Sequence, residues 1–292
     1  MNNFGLNHQI PKISIILICL NDEKCIEEML LSIKEYKYHQ LIIVDGGSVD
    51  NTLEIAKKYT QDVFVSEKGM AKQTLYGINE ATGDLILLVE ADHVYPKNFV
   101  ESLAQEFFSS EYDGIQGSLV YHNPKNFWEY GHREFFKIHF HQKGYKKLIA
   151  CPQLWYKKKL SLLIESTKYA EGFSFDTQRA EIARKQNLNT GLGSTFAYEK
   201  QDINFNKFIN RHLNYGKGDY DFYVHNSPYW GLLRKLKSIT HIFIRYGISY
   251  PLKSIYLGNP FIALPYFWII MLVRYFSWIK TIILKMNKYL LL

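Results

Sequence analysis

Residues 13–120 alternate between short unbroken apolar runs and segments whose apolar residues recur at helical spacing. Ile13–Leu20 (ISIILICL) is a continuous β-branched run, the pattern of a strand buried on both faces. Lys24–Tyr36 places Ile26, Met29, Leu30 and Ile33 on one helical face. Leu41–Val44 is a second strand that ends in Asp45-Gly46-Gly47-Ser48, and Asp50 or Asn51 can then cap a helix through Tyr59. Val63–Val65 reads as a third strand, Ala71–Ala81 as a helix and Asp84–Val89 as a fourth strand. Pro96 suits the first turn of a helix reaching Phe108, and Gly114–Val120 is a fifth strand. Such alternation with short loops predicts an α/β fold around a mostly parallel sheet with right-handed crossovers.

Ligands of these sheets bind at the carboxyl ends of the strands. The polar clusters fall at those ends: Asn21-Asp22-Glu23, Asp45-Gly46-Gly47-Ser48 and Glu90-Ala91-Asp92. Glu90 and Asp92 close a very apolar strand, and side chains at i and i+2 of a strand point the same way. Two carboxylates so placed offer the oxygen ligands that Mg²⁺ or Mn²⁺ requires. A solvated turn accounts for the same triplet without an ion. Asp45 offers an acceptor for a base or ribose, while Gly46 and Gly47 permit a close approach or positive φ. A tight turn with a helix cap explains that stretch equally well.

Taken together, these motifs resemble the family 2 glycosyltransferases of GT-A fold. The match runs through ISIILICLND-E, LIIVDGGSVDNTLEIAKKY, KGMAKQTLYGINEATGDLILLVEADH and PKNFVESL, covering residues 13 to about 105. The resemblance implies a nucleotide-diphosphate sugar bound along that rim. It puts Asn21 and Asp22 in the nucleoside pocket, with Asp45 and Gly47 in the loop beside the base or ribose. Gln73 would lie near the diphosphate. Glu90-Ala91-Asp92 takes the place of the family's D-x-D motif, with Asp92 the direct metal ligand and Glu90 beside it on the cation and the donor. Two departures stand out: Ile18-Cys19 replaces the usual Pro-Thr pair, and Glu90 replaces the first Asp. Inverting members use an acidic base from a motif after the fifth strand, and here the candidate segment is Tyr169–Arg179. Asp176 is the preferred base and Glu171 the second choice, although Asp176 also suits a plain helix cap.

Charge divides the chain differently. After Asp221 the last 71 residues hold nine Lys or Arg and no acidic residue. Removing those nine from the total of 35 leaves 26 basic against 28 acidic side chains in residues 1–221. In Gly231–Tyr246, Leu232, Leu236, Ile239, Phe243 and Tyr246 share a helical face, and Phe261–Lys288 is apolar except for the stripe Arg274, Ser277, Thr281, Lys285 and Lys288. The longest charge-free apolar run, Pro260–Val273, is 14 residues, short of the roughly 20 that span a bilayer. Basic, aromatic-rich helices of this kind suit an anionic membrane surface.

The expected organisation is therefore a GT-A domain over residues 1–223 and a membrane-associating tail over 224–292. The start lacks a secretory pattern and the three cysteines form no C-x-x-C pair, so a peripheral place on the cytoplasmic face of the membrane is expected. The expected activity is single-sugar transfer to an acceptor hydroxyl, inverting and dependent on Mg²⁺ or Mn²⁺, with a lipid-linked or glycan acceptor suggested by the tail. A nucleotidyltransferase would want a basic Gly-rich loop where the acidic Asn21-Asp22-Glu23 stands. A non-catalytic nucleotide-sugar-binding scaffold at the membrane would not need both Glu90 and Asp92. Lipid covers the tail's apolar face better than nucleic acid does, so no nucleic-acid partner is expected.

Overall fold

A computed structural model describes residues 11–140, 148, 150–167 and 174–290. The chain begins with β1 (Ile13–Cys19), α1 (Ile26–Ile33), β2 (Gln40–Asp45), α2 (Thr52–Ala56), β3 (Val63–Val65), α3 (Met70–Glu80) and β4 (Leu85–Val89). It continues through β5 (His93–Val94), α4 (Phe99–Ser109), β6 (Gly114–Tyr121), α5 (Phe127–Phe140), β7 (Gln153–Tyr156), α6 (Lys157–Thr167), α7 (Phe175–Lys185) and β8 (Thr190–Glu199). The remainder is helical: α8 (Phe205–Asn226), α9 (Leu232–Ile242), a π-helical segment (Phe243–Ser249), α10 (Tyr250–Leu257) and α11 (Pro260–Leu290).

Eight strands form one sheet in the order β3-β2-β1-β4-β7-β6-β8-β5. β1 pairs parallel with β2 and with β4, and β2 pairs parallel with β3, as the alternation predicts. Ile15, Ile16 and Leu17 are at most 1% exposed, so each contributes roughly 1.5–3 kcal/mol by leaving water. Beyond β4 the pattern changes, because β7 enters antiparallel to both β4 and β6. β7 itself is short, only Gln153–Tyr156. β6, expected as the fifth strand, is preceded by the two-residue β5, and it lies between β7 and β8, which both come later in the chain. The fold is of the expected α/β class, with an antiparallel insertion on one side of the parallel strands.

Local chemistry shortens several expected helices. α2 ends at Ala56 rather than Tyr59, and it is the Asp50 carboxylate that caps it, accepting from Thr52 N–H at 3.0 Å. Pro96 lies before α4 instead of in its first turn. Its carbonyl accepts from Phe99 N–H at 3.1 Å, and Asn98 (φ 60°) makes the left-handed step that starts the helix at Phe99.

The chain separates into two compact units. One comprises residues 1–118, 144–169 and 179–197, and contains β1–β5, β7, α1–α4 and α6 whole. Within it α3 and α6 pack on each other, α3 also on β1 and β2, and α6 on β4 and β7. The other comprises residues 119–143, 170–178 and 198–292 and is almost wholly helical. There α11 packs along α8 and against α5 and α10. The 223/224 line follows charge and hydropathy, whereas this division follows packing.

Candidate active site

Three strand ends carry the rim. At the end of β2, Asp45 is 2% exposed and holds its own loop. Its Oδ1 accepts from Gly47 N–H at 2.8 Å and Ser48 N–H at 2.7 Å, while Oδ2 accepts from the Ser48 hydroxyl. Gly47 has φ 90°, and a Cβ there would touch nothing within 4 Å. The turn, not lack of space, therefore calls for glycine. Asn21, at φ 58°, ends β1 and clips onto this loop: Val49 N–H donates to its Oδ1 at 2.9 Å, and its own N–H donates to Ser48 Oγ at 2.8 Å.

Gln73, on α3, is 5% exposed and joins the two strand ends from below. Its Nε2 donates to the carbonyls of Cys19 and Val44, both at 3.0 Å, and its Oε1 accepts from Gly69 N–H at 3.2 Å. Asp22 N–H donates to Thr52 Oγ1 at 2.7 Å. Burial raises the Asp22 carboxyl above the usual carboxylate range; Leu20 N–H opposes this, and the negative charges of Asp92, Asp50 and Asp45 add to it. Asn21, Asp22, Asp45, Gly47 and Gln73 thus form one hydrogen-bonded rim.

At the end of β4 the geometry differs from the expected strand face. β4 stops at Val89, so Glu90 is just outside it and Asp92 lies in a turn before β5. Strand alternation therefore does not align the two carboxylates; the turn does. It also brings in a third group, His93, which the carboxylate pattern alone did not single out although it follows Asp92 directly. One ligand atom from each of Glu90, Asp92 and His93 lies within 4.8 Å of the others. His93 is 1% exposed, and its Nε2 stands 3.6 Å from Asp92 Oδ1 and 3.7 Å from Glu90 Oε2. Those separations exceed a hydrogen bond. They are also longer than the roughly 3 Å edge between neighbouring ligands of an octahedral ion at about 2.1 Å, so a cation here would draw the three groups together. The two carboxylates suit Mn²⁺ or Mg²⁺, and the negative charge of Asp92 also adds, after burial, to the raised Asp22 carboxyl.

Asp176 stands in the first turn of α7, half-buried, within the second unit. Glu171 lies outside the described residues.

The family model described as Glycosyl transferase family 2 matches residues 14–163, just over half of the chain. An N-acetylglucosaminyltransferase of Azorhizobium caulinodans is 29% identical over 130 residues, covering 40% of this chain and 33% of that protein. The chain thus spans only about a third of that relative's length. Among solved structures, Staphylococcus aureus TarS 1-349 in complex with UDP-GlcNAc aligns with TM-score 0.58 at 17% identity, over 83% of this chain and 76% of that one. Glucosyl-3-phosphoglycerate synthase from Mycobacterium tuberculosis, in complex with Mn²⁺ and UDP-glucose, aligns with TM-score 0.53 at 15% identity, over 75% of this chain and 79% of that one. At such identities the structural likeness is one of fold.

Proposed function

The chain belongs to glycosyl transferase family 2, and from that membership we propose that it transfers a single sugar from a nucleotide-diphosphate sugar to an acceptor hydroxyl, with inversion. The convergence of Glu90, Asp92 and His93 beside the Asn21–Asp22 and Asp45–Ser48 loops carries this reading. A uridine-diphosphate N-acetylhexosamine is the proposed donor, supported by the N-acetylglucosaminyltransferase relative and by the UDP-GlcNAc held by TarS. The Asp45 loop and Asn21 receive the nucleoside, and Gln73 keeps the strand ends at the spacing that the diphosphate needs. Asp92, Glu90 and His93 hold Mg²⁺ or Mn²⁺. Bound there, the cation neutralises charge on the departing diphosphate.

The acceptor hydroxyl is deprotonated as the nucleotide leaves, a task proposed for Asp176, with Glu171 as the alternative. The acceptor is lipid-linked or a glycan, and the enzyme works at the cytoplasmic face of an anionic membrane through residues 224–292. Support comes from the apolar α11, long enough to enter a bilayer, and from the acid-free charge of the tail.

Thermal unfolding with Mn²⁺ and a panel of nucleotide sugars tests this reading, because a ligand selective for the native state raises the midpoint. A uridine-diphosphate N-acetylhexosamine should give the largest rise, and no rise with any member would refute the proposal. Asp176→Asn should keep that rise yet lose about 10²–10⁴ in transfer rate, the usual worth of general-base catalysis. Full transfer by Asp176→Asn would move the base elsewhere.

A further inference from the structure

We propose that α11 lies in the plane of an anionic lipid leaflet instead of crossing the bilayer, and that α8 holds it there. This rests on the membrane association proposed above. By composition alone α11 could cross: Pro260–Lys285 comprises 26 residues of mean hydropathy 1.6, about 39 Å of helix.

Its polarity is turned inside out. Arg274, Ser277 and Lys285 of the polar stripe meet α8. Arg274 grips Asp219 with Nε to Oδ2 at 2.8 Å and Nη2 to Oδ1 at 2.7 Å. The Ser277 hydroxyl donates to the Leu213 carbonyl at 2.5 Å, and Lys285 Nζ reaches Asp221 Oδ1 at 2.9 Å. The apolar side faces outward, with Phe261, Leu272, Phe276, Ile279 and Ile283 between 51% and 89% exposed. A helix surrounded by water would have the opposite arrangement.

An outward apolar face fits either crossing a bilayer or lying in one leaflet, and α8 decides between them. The two helices run the same way in contact, from Phe208 beside Tyr266, through Gly216, to Tyr220 beside Trp278 and Asp221 at Lys285. At Gly216 the approach is close: a Cβ would sit 2.4 Å from the Arg274 carbonyl oxygen. The outer side of α8 exposes Asn206, Lys207, Asn210, Asn214 and Lys217. If α11 crossed, α8 would carry these groups into hydrocarbon, where exposed amides and ammoniums are strongly disfavoured. With α11 in the plane, α8 stays in water.

α9 and α10, which both pack on α11, also expose apolar side chains. Leu232, Leu233 and Leu236 of α9 are 71%, 84% and 50% exposed, and Ile255 of α10 is 55% exposed. Lys237 and Lys280 are exposed as well, and no acidic residue follows Asp221. That charge matches anionic headgroups and makes a lipid leaflet the occupant.

The test uses the full chain added to sealed phosphatidylcholine vesicles with or without phosphatidylglycerol. The protein should sediment with the anionic vesicles and less so in high salt. A Leu272→Glu/Phe276→Glu/Ile279→Glu variant should partition at least about tenfold less while keeping its unfolding midpoint. A membrane-impermeant maleimide should label Lys288→Cys, above the wild-type thiols, equally in intact and detergent-opened vesicles. Protection in intact vesicles would mean that α11 crosses and would overturn the inference, as would failure to sediment with either vesicle type or unchanged partitioning of the triple variant. Stabilisation by nucleotide sugar in vesicle-free solution reports separately on the glycosyl-transfer reading.

Discussion

Asp45 illustrates how one side chain can serve both fold and site. Its carboxylate takes two backbone N–H groups of the loop that would receive the nucleoside. Asp45→Ala leaves those donors without their acceptor and should lower stability by about 1–3 kcal/mol. Asp45→Asn keeps an acceptor at the same place and should recover most of that loss, as read by denaturant unfolding. Equal losses for both would mean that charge, not loop geometry, is what the position supplies. Residues of this kind were legible in the sequence because acid, glycine and serine fall together at a strand end. His93 was not, because a histidine becomes a ligand candidate only once the turn after Val89 fixes where it points.

Helices and strands differ in how openly they are written. β1, β2 and β4 could be read because strands buried on both faces appear as unbroken apolar runs. β7 is only four residues long and includes the buried Gln153, so neither its extent nor its antiparallel direction has a sequence signal. The stripe on α11 was visible, but its facing was not, since spacing alone says nothing about which side meets protein. The Arg274–Asp219 pair that settles the facing is buried and bidentate, so removing one partner strands the other. Arg274→Met should cost about 3–5 kcal/mol, and adding Asp219→Leu should recover much of it. Unfolding of the single and double variants checks this, and an unchanged midpoint for Arg274→Met would show that the helices do not depend on the pair.

Acid sensitivity is a property of the molecule as a whole. Burial, followed by the charges of Arg245 and Lys253, lowers His139 to about 3. Burial, followed by Arg274 and Arg211, holds His212 well below the ordinary histidine value. Both stay neutral in the fold but would take up protons near pH 6.5 when unfolded. Stability is therefore full above that pH and falls as the pH drops toward 3, by about 2 kcal/mol per histidine between roughly pH 7 and 5. Neither ring nitrogen of His212 has a hydrogen-bond partner among the described residues. His212→Phe should therefore remove about half of this acid sensitivity, and an unaltered pH profile would contradict the assignment. The site itself is tested most directly by titrating Mn²⁺, with UDP present, into the wild type and Asp92→Asn. A cation held by Glu90, Asp92 and His93 predicts saturable binding that weakens at least about tenfold in the variant; equal affinity in the two proteins would contradict it.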